Sequence, residues 1–139
     1  MIVFFNEDIA FHLENSRKIK NWISTIIKKY NRKVGDINFI FCSDQYLLQI
    51  NNKYLNHNYF TDIITFNYND DSFISSDIYI SIETVKLNAT EYKVSFENEL
   101  KRVMIHGILH LLEFDDKTEA QKIEIRQKED DALNIFNPE

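Results

Sequence analysis

Apolar positions along the chain recur with two different periods, and the places where the period changes divide it into helices and strands. Between residues 16 and 30 the apolar side chains Ile19, Trp22, Ile23, Ile26, Ile27 and Tyr30 fall at i, i+3, i+4, i+7, i+8 and i+11, one face of an amphipathic helix. The other face of that helix carries Lys and Arg. Short runs of apolar, β-branched and aromatic residues predict strands at 2–5, 37–42, 61–67 and 77–80, the first at a sheet edge and the next two central. Residues 33–36 (Lys-Val-Gly-Asp) read as a turn and 69–72 (Asn-Asp-Asp-Ser) as a polar loop.

Capping residues mark the remaining helices. Ser43 is placed to cap a helix over 44–54 that buries Leu47, Ile50 and Tyr54, and Asn56-His57-Asn58 stops it. A further helix is expected from 81 or 82 to about 92. Ser95 suits the N-cap of the next, with Glu97 and Glu99 near the positive end of its dipole. Over 103–112 every residue except His106, Gly107 and His110 is apolar, which predicts a helix packed on most of its circumference. Thr118 with Gln121 three residues on forms a capping box opening a charged helix over about 119–134. The close spacing of the strands between 62 and 80 calls for at least one antiparallel pair. The expected fold class is therefore α+β, or mixed α/β layers: about four strands and five helices, with the His-bearing helix central and packed on the sheet.

Composition narrows the class without changing that picture. A chain of 139 residues fits one domain, 1–139, and buries about two-thirds of the surface its unfolded form exposes. With 2 Gly and 1 Pro, most residues belong in regular elements. The single Cys42 permits no intrachain disulfide, and its apolar strand suits a buried structural thiol. The first residues lack a basic leader, and no run of roughly 20 apolar residues spans a membrane, so a cytoplasmic protein is expected. A net charge of -6 argues against coating nucleic acid non-specifically. The average hides an asymmetry, since residues 1–33 hold seven Lys and Arg against three acids and the rest nine against nineteen. Lys18, Lys28, Lys29, Arg32 and Lys33 are the candidate contacts to a polyanion; the competing explanation is a solvated helix face.

The chemistry concentrates in one segment. His106 and His110 lie four residues apart, one above the other on a helix, so both imidazoles can face one ion. Asp116 can supply a third ligand if the chain reverses after Leu112. Three protein ligands with a water in the fourth position is the arrangement of a catalytic zinc, whose water becomes the nucleophile. Core histidines bonded to backbone are the alternative, and the adjacent Asp115-Asp116 pair weighs against it. The spacing also equals that of metalloproteases with a His-Glu-x-x-His motif, but the general-base position holds Gly107.

The segment His106-Gly107-Ile108-Leu109-His110-Leu111-Leu112-Glu113-Phe114-Asp115-Asp116 resembles the signature of the YbeY family, His-Gly-x-Leu-His-Leu-x-Gly, then Tyr or Phe, then Asp-His. Upstream, the stretch ending Asn52-Lys53-Tyr54 is similar to the family's Asn-x-x-Tyr. Thr61-Asp62-Ile63-Ile64-Thr65-Phe66 is similar to its Thr-Asp-Val-Leu-Ser-Phe, and Ser76-Asp77-Ile78-Tyr79-Ile80 to its Gly-Asp-Ile-x-Ile. The resemblance covers essentially the whole chain. It implies a single-strand-specific, metal-dependent endoribonuclease of ribosomal RNA maturation, acting at the 3′ end of small-subunit rRNA and in ribosome quality control. It further implies one divalent ion, zinc, on His106, His110 and Asp116, with RNA and the small ribosomal subunit as partners and neither DNA nor membrane. Three positions depart from the family: Asp116 replaces a His, Glu113 replaces a Gly, and Leu55 stands where the family carries an Arg after its Tyr. Arg102, one turn before His106, is the candidate substitute for that Arg as a catalytic contact to phosphate; a salt-bridged Arg beside Glu99 is the competing explanation. The alternatives to the nuclease are a metal-stabilised ribosome-associated factor that binds RNA or protein without cutting, and the metalloprotease.

Overall fold

The computed structural model describes residues 1–57 and 61–137. Four strands, β1 (Ile2–Asn6), β2 (Lys33–Cys42), β3 (Ile63–Asn67) and β4 (Phe73–Ser81), form one sheet in the order β1-β2-β4-β3. β1, β2 and β4 are parallel, and β3 runs antiparallel to β4. The helices are α1 (Ser16–Lys29), α2 (Asp44–Leu55), α3 (Ile82–Tyr92), α4 (Phe96–Leu111) and α5 (Glu119–Phe136). The α+β expectation holds in strand number, helix number and the central place of the His helix α4. No described helix is long and apolar enough to cross a membrane.

Alternation along the strands separates two cores. Ile37, Phe39 and Phe41 of β2 and Ile74, Ile78 and Ile80 of β4 point to the face covered by α1, α4 and α5. On the opposite face Cys42, Ile64, Phe66 and Tyr79 pack under α2, through Leu47 and Tyr46. α5 is fixed against α1 by the Trp22 indole N–H, which donates to the Ala132 carbonyl at 2.7 Å, and by an edge-on contact between Trp22 and Phe136.

Several sequence expectations change in detail. Residues 33–36 do not turn. Lys33 and Val34 pair with Phe73 and Ile74, and the register shift between Val34 and Ile37 is a bulge in β2. Gly35 is required there because a Cβ would lie 2.2 Å from Ser75 Oγ and 2.9 Å from the Ile74 carbonyl oxygen. β3, expected to be central, is the sheet edge: among the described residues its short span pairs with β4 alone. Tyr54, expected to be buried, is 57% exposed at the end of α2 and touches Phe66 by its edge. Asn56 ends α2 in the left-handed conformation; Asn58, the last residue of the expected stop, lies outside the described residues. Ser43, Ser81, Ser95 and Thr118 each cap the helix that follows, and the capping box of Thr118 and Gln121 is formed in both directions.

Candidate metal centre

α4 reaches the sheet through Gly107. A Cβ at that position would stand 2.9 Å from Ile63 Cδ1 and 3.2 Å from Thr65 Cγ2, so Gly lets the helix lie against β3 without displacing these side-chain ends. The same packing removes the protease reading, because a general-base carboxylate at 107 would be driven into the sheet. His106 and His110 stand on an adjoining face, half-buried, with ring planes 77° apart and Nε2 atoms 2.9 Å apart.

The helix then ends in a way that returns the chain to the histidines. Glu113 takes φ 77°, its N–H donates to the His110 carbonyl, and the Phe114 N–H donates to the Leu109 carbonyl, both at 3.0 Å. This pairing is a Schellman cap. Phe114 packs on the main core and meets Tyr30 edge-on, anchoring the reversal. As a result Asp116 Oδ2 lies 3.4 Å from both His106 Nε2 and His110 Nε2. Ligands about 2.0–2.1 Å from a tetrahedral zinc are separated by about 3.4 Å, so this donor set fits a divalent ion in spacing as well as in chemistry. These three form the one cluster with metal-ligand geometry among the described residues.

A second layer of charge surrounds the triangle. His106 Nδ1 meets Glu129 Oε2 at 2.6 Å, and Glu129 is 5% exposed. With Nδ1–H donating to that carboxylate, the neutral ring presents its Nε2 lone pair toward His110 and Asp116. Burial opposes charging of His106, but the hydrogen bond and charge of Glu129, with Asp116 and Asp62, raise its pKa above the ordinary value. Glu129 is itself held by Arg102, whose Nη1 donates to Glu129 Oε1 at 2.9 Å while Nη2 donates to Asp130 Oδ1 at 2.7 Å. Burial raises the Asp62 carboxyl, against the lowering effect of His106.

Two recesses flank the triangle and share Asp62, His106 and Asp116. One, about 360 Å³, lies along the start of β3 at Thr61, Ile63 and Thr65. The other, about 550 Å³, opens between α3, α4 and α5.

His106, His110 and Asp116 therefore come together as the spacing anticipates. Arg102 lines the larger recess beside His106, engaged by Glu129 and Asp130 rather than by Glu99. The basic residues are divided. Lys28 and Lys29 stand in the last turn of α1, just before Tyr30, which meets Phe114, whereas Lys18 lies over Phe136 at 4.3 Å and Lys33 near Phe73. Lys28 is roughly 15 Å along the helix from Lys18. Glu129 is not singled out by the sequence, and Asp62 and Glu99 appear there only as a motif residue and a helix-dipole acid, not as site residues. For Glu129 a signal existed: it shares one face of α5 with Ile125, Ala132, Leu133 and Phe136, and an acid in such a stripe needs a buried partner.

Comparison with known proteins identifies the family. The family model described as Endoribonuclease YbeY matches residues 4–137. A protein named Endoribonuclease YbeY from Flavobacterium psychrophilum is 48% identical over 136 residues, spanning 98% of this chain and 97% of its own. The protein of the same name from Karelsulcia muelleri is 47% identical over 130 residues, spanning 94% and 92%. Among solved structures, the solution structure of a Thermotoga maritima protein superposes with a TM-score of 0.67 at 29% identity, covering 99% of this chain and 94% of that one. On the match along nearly its whole length, this chain belongs to the YbeY family of endoribonucleases.

Proposed function

We propose that residues 1–139 act as one catalytic domain that cuts single-stranded RNA in a metal-dependent reaction, at the 3′ end of small-subunit ribosomal RNA during its maturation and in ribosome quality control. The enzyme works in the cytoplasm with the small ribosomal subunit as partner, and engages neither DNA nor membrane. His106, His110 and Asp116 hold one divalent ion, zinc. The observation that carries this reading is the triangle of 2.9, 3.4 and 3.4 Å between their donor atoms, set where two recesses meet.

When bound, the ion polarises a phosphate oxygen and acidifies a water. The protein's own contribution is orientation. Glu129 holds the His106 ring with Nε2 toward the ion, and the Schellman turn at Glu113 sets Asp116 opposite. Asp62 sits at the junction of the recesses, where burial favours its protonated form and suits it to exchange a proton with the reacting groups. Arg102 brings positive charge to the same recess in place of the family Arg that Leu55 lacks, and it keeps Glu129 aimed at His106. Lys28, Lys29 and Arg32, with Lys18 and Lys33 farther along, hold the RNA backbone.

The test is cleavage of single-stranded RNA by the zinc-loaded protein, abolished by chelator and by His106→Ala. Metal content of the purified protein is the cheaper measurement. Protein that takes up no zinc or manganese on dialysis would remove the metal site. In this reading Arg102→Ala loses metal affinity together with rate; a variant as fast as wild type would take Arg102 out of the mechanism.

A further inference from the structure

The larger recess contains a group that metal binding leaves unused. Glu99 on α4 is 4% exposed and lines this space, yet no hydrogen bond or ion pair engages its carboxylate among the described residues. Its oxygens are not sealed in the core but open to the recess, so their hydrogen-bond partner is whatever occupies that space. The surroundings define that ligand. Val103 and Ile125, 4% and 3% exposed, form apolar walls, and Tyr92, 58% exposed, stands at the rim. Asn88 and Arg126 also line the recess; neither side chain makes a hydrogen bond or ion pair among the described residues, and Arg126 is close enough to act electrostatically on Glu99. A pocket of about 550 Å³ is of the size that takes a small planar ligand. It also shares His106 and Asp116 with the metal triangle, so an occupant lies next to the reacting phosphate.

We propose that this recess is a nucleobase site that receives a guanine flanking the cut phosphate, with the Glu99 carboxylate accepting hydrogen bonds from its Watson–Crick edge. Guanine presents two adjacent donors, N1–H and the 2-amino group, matching the two oxygens of a carboxylate. Cytosine and adenine place an acceptor beside their amino group, and uracil offers one N–H between two carbonyls. The Asn88 amide supplies a donor for guanine O6, Tyr92 covers the ring, and Arg126 meets a neighbouring phosphate. Single-stranded RNA is the substrate this requires, because a paired base has its Watson–Crick edge occupied. The assignment deepens the endoribonuclease reading and rests on it for the identity of the strand.

The experiment uses the full chain and short uridine oligomers whose central base is varied among the four. Binding to metal-free protein is followed by fluorescence anisotropy at low salt, and cleavage of the same oligomers by zinc-loaded protein. The guanine oligomer is expected to bind about tenfold more tightly than the others, as for one bidentate base contact. Glu99→Gln keeps the shape but replaces one acceptor by a donor. It should abolish the preference while circular dichroism stays native, whereas Arg126→Ala weakens all four alike. Equal binding of the four oligomers by wild type, or a preference unchanged in Glu99→Gln, would overturn the proposal. Free guanosine monophosphate competing as well as the guanine oligomer would also overturn it, assigning the pocket to a free nucleotide. The two readings fail separately: cutting without base preference removes the guanine site alone, and base-selective binding without cutting removes the nuclease alone.

Discussion

The left-handed residue Glu113 offers a test of how the site is built that does not depend on metal or substrate. At φ 77° its Cβ crowds the backbone, which costs roughly 1–2 kcal/mol for an L-residue. Glycine removes that strain but gains about 0.5–1 kcal/mol of unfolded-chain entropy, so Glu113→Gly should stabilise the protein by about 1 kcal/mol. A carboxylate at a helix C-terminus also faces the negative end of the dipole, and both Glu113→Gly and Glu113→Ala relieve that by a few tenths of a kcal/mol. Alanine keeps the Cβ and therefore the strain. For a chain of this length about 1 kcal/mol moves Tm by about 3 °C. Thermal unfolding of the metal-free protein should rank glycine well above alanine, with alanine about 1 °C above wild type. Alanine rising as far as glycine would show that the side-chain charge, not the backbone, carries the cost. A glycine variant no more stable than wild type would refute the account of the turn. Because the turn is kept, zinc affinity should not change.

Glu129→Gln should weaken zinc binding about 10- to 100-fold, read by competition with a chromophoric chelator, since the residue fixes the ring that offers Nε2 to the ion; unchanged affinity would refute that role. Cys42 is fully buried and burial pushes its thiol up to about 12, so it should react with a thiol reagent only after unfolding, and rapid labelling of folded protein would contradict the packing under α2. Burial, aided by Asp62 and opposed by Arg102 and Arg126, raises the Glu99 pKa. Its protonation therefore favours the fold below the unfolded carboxylate value, and that contribution is lost as pH rises through the folded value. Glu99→Gln lacks this loss. Its Tm should match wild type near pH 4 and exceed it increasingly toward pH 7, and a gap that does not grow with pH would count against an unsatisfied carboxylate.

What the sequence by itself determined was local. The period of α1, the capping side chains of α2 to α5 and the His106, His110 spacing depend on residues within a turn or two of each other, so they are legible without a partner. The reversal after Leu112 was legible only as a condition on Asp116. It is met because Phe114 finds the core and Tyr30, the residue that ends α1 some eighty positions earlier in the chain. The strand rank of β3 and the bulge at Gly35 escaped the pattern for a related reason. An apolar, β-branched run looks the same at an edge as in the centre, and a Gly-Asp pair looks the same in a bulge as in a turn, until the partner strand is known. Only the tertiary structure decided which charges meet. Glu129 on His106, Arg102 on Glu129, and Glu99 at the recess wall within reach of the charges of Arg102 and Arg126 are each set by how α4 packs on α5, α3 and the sheet. Electrostatic neighbours distant in sequence leave no periodic trace, so the ions' environment, unlike the ligand spacing, exists only once the helices are packed.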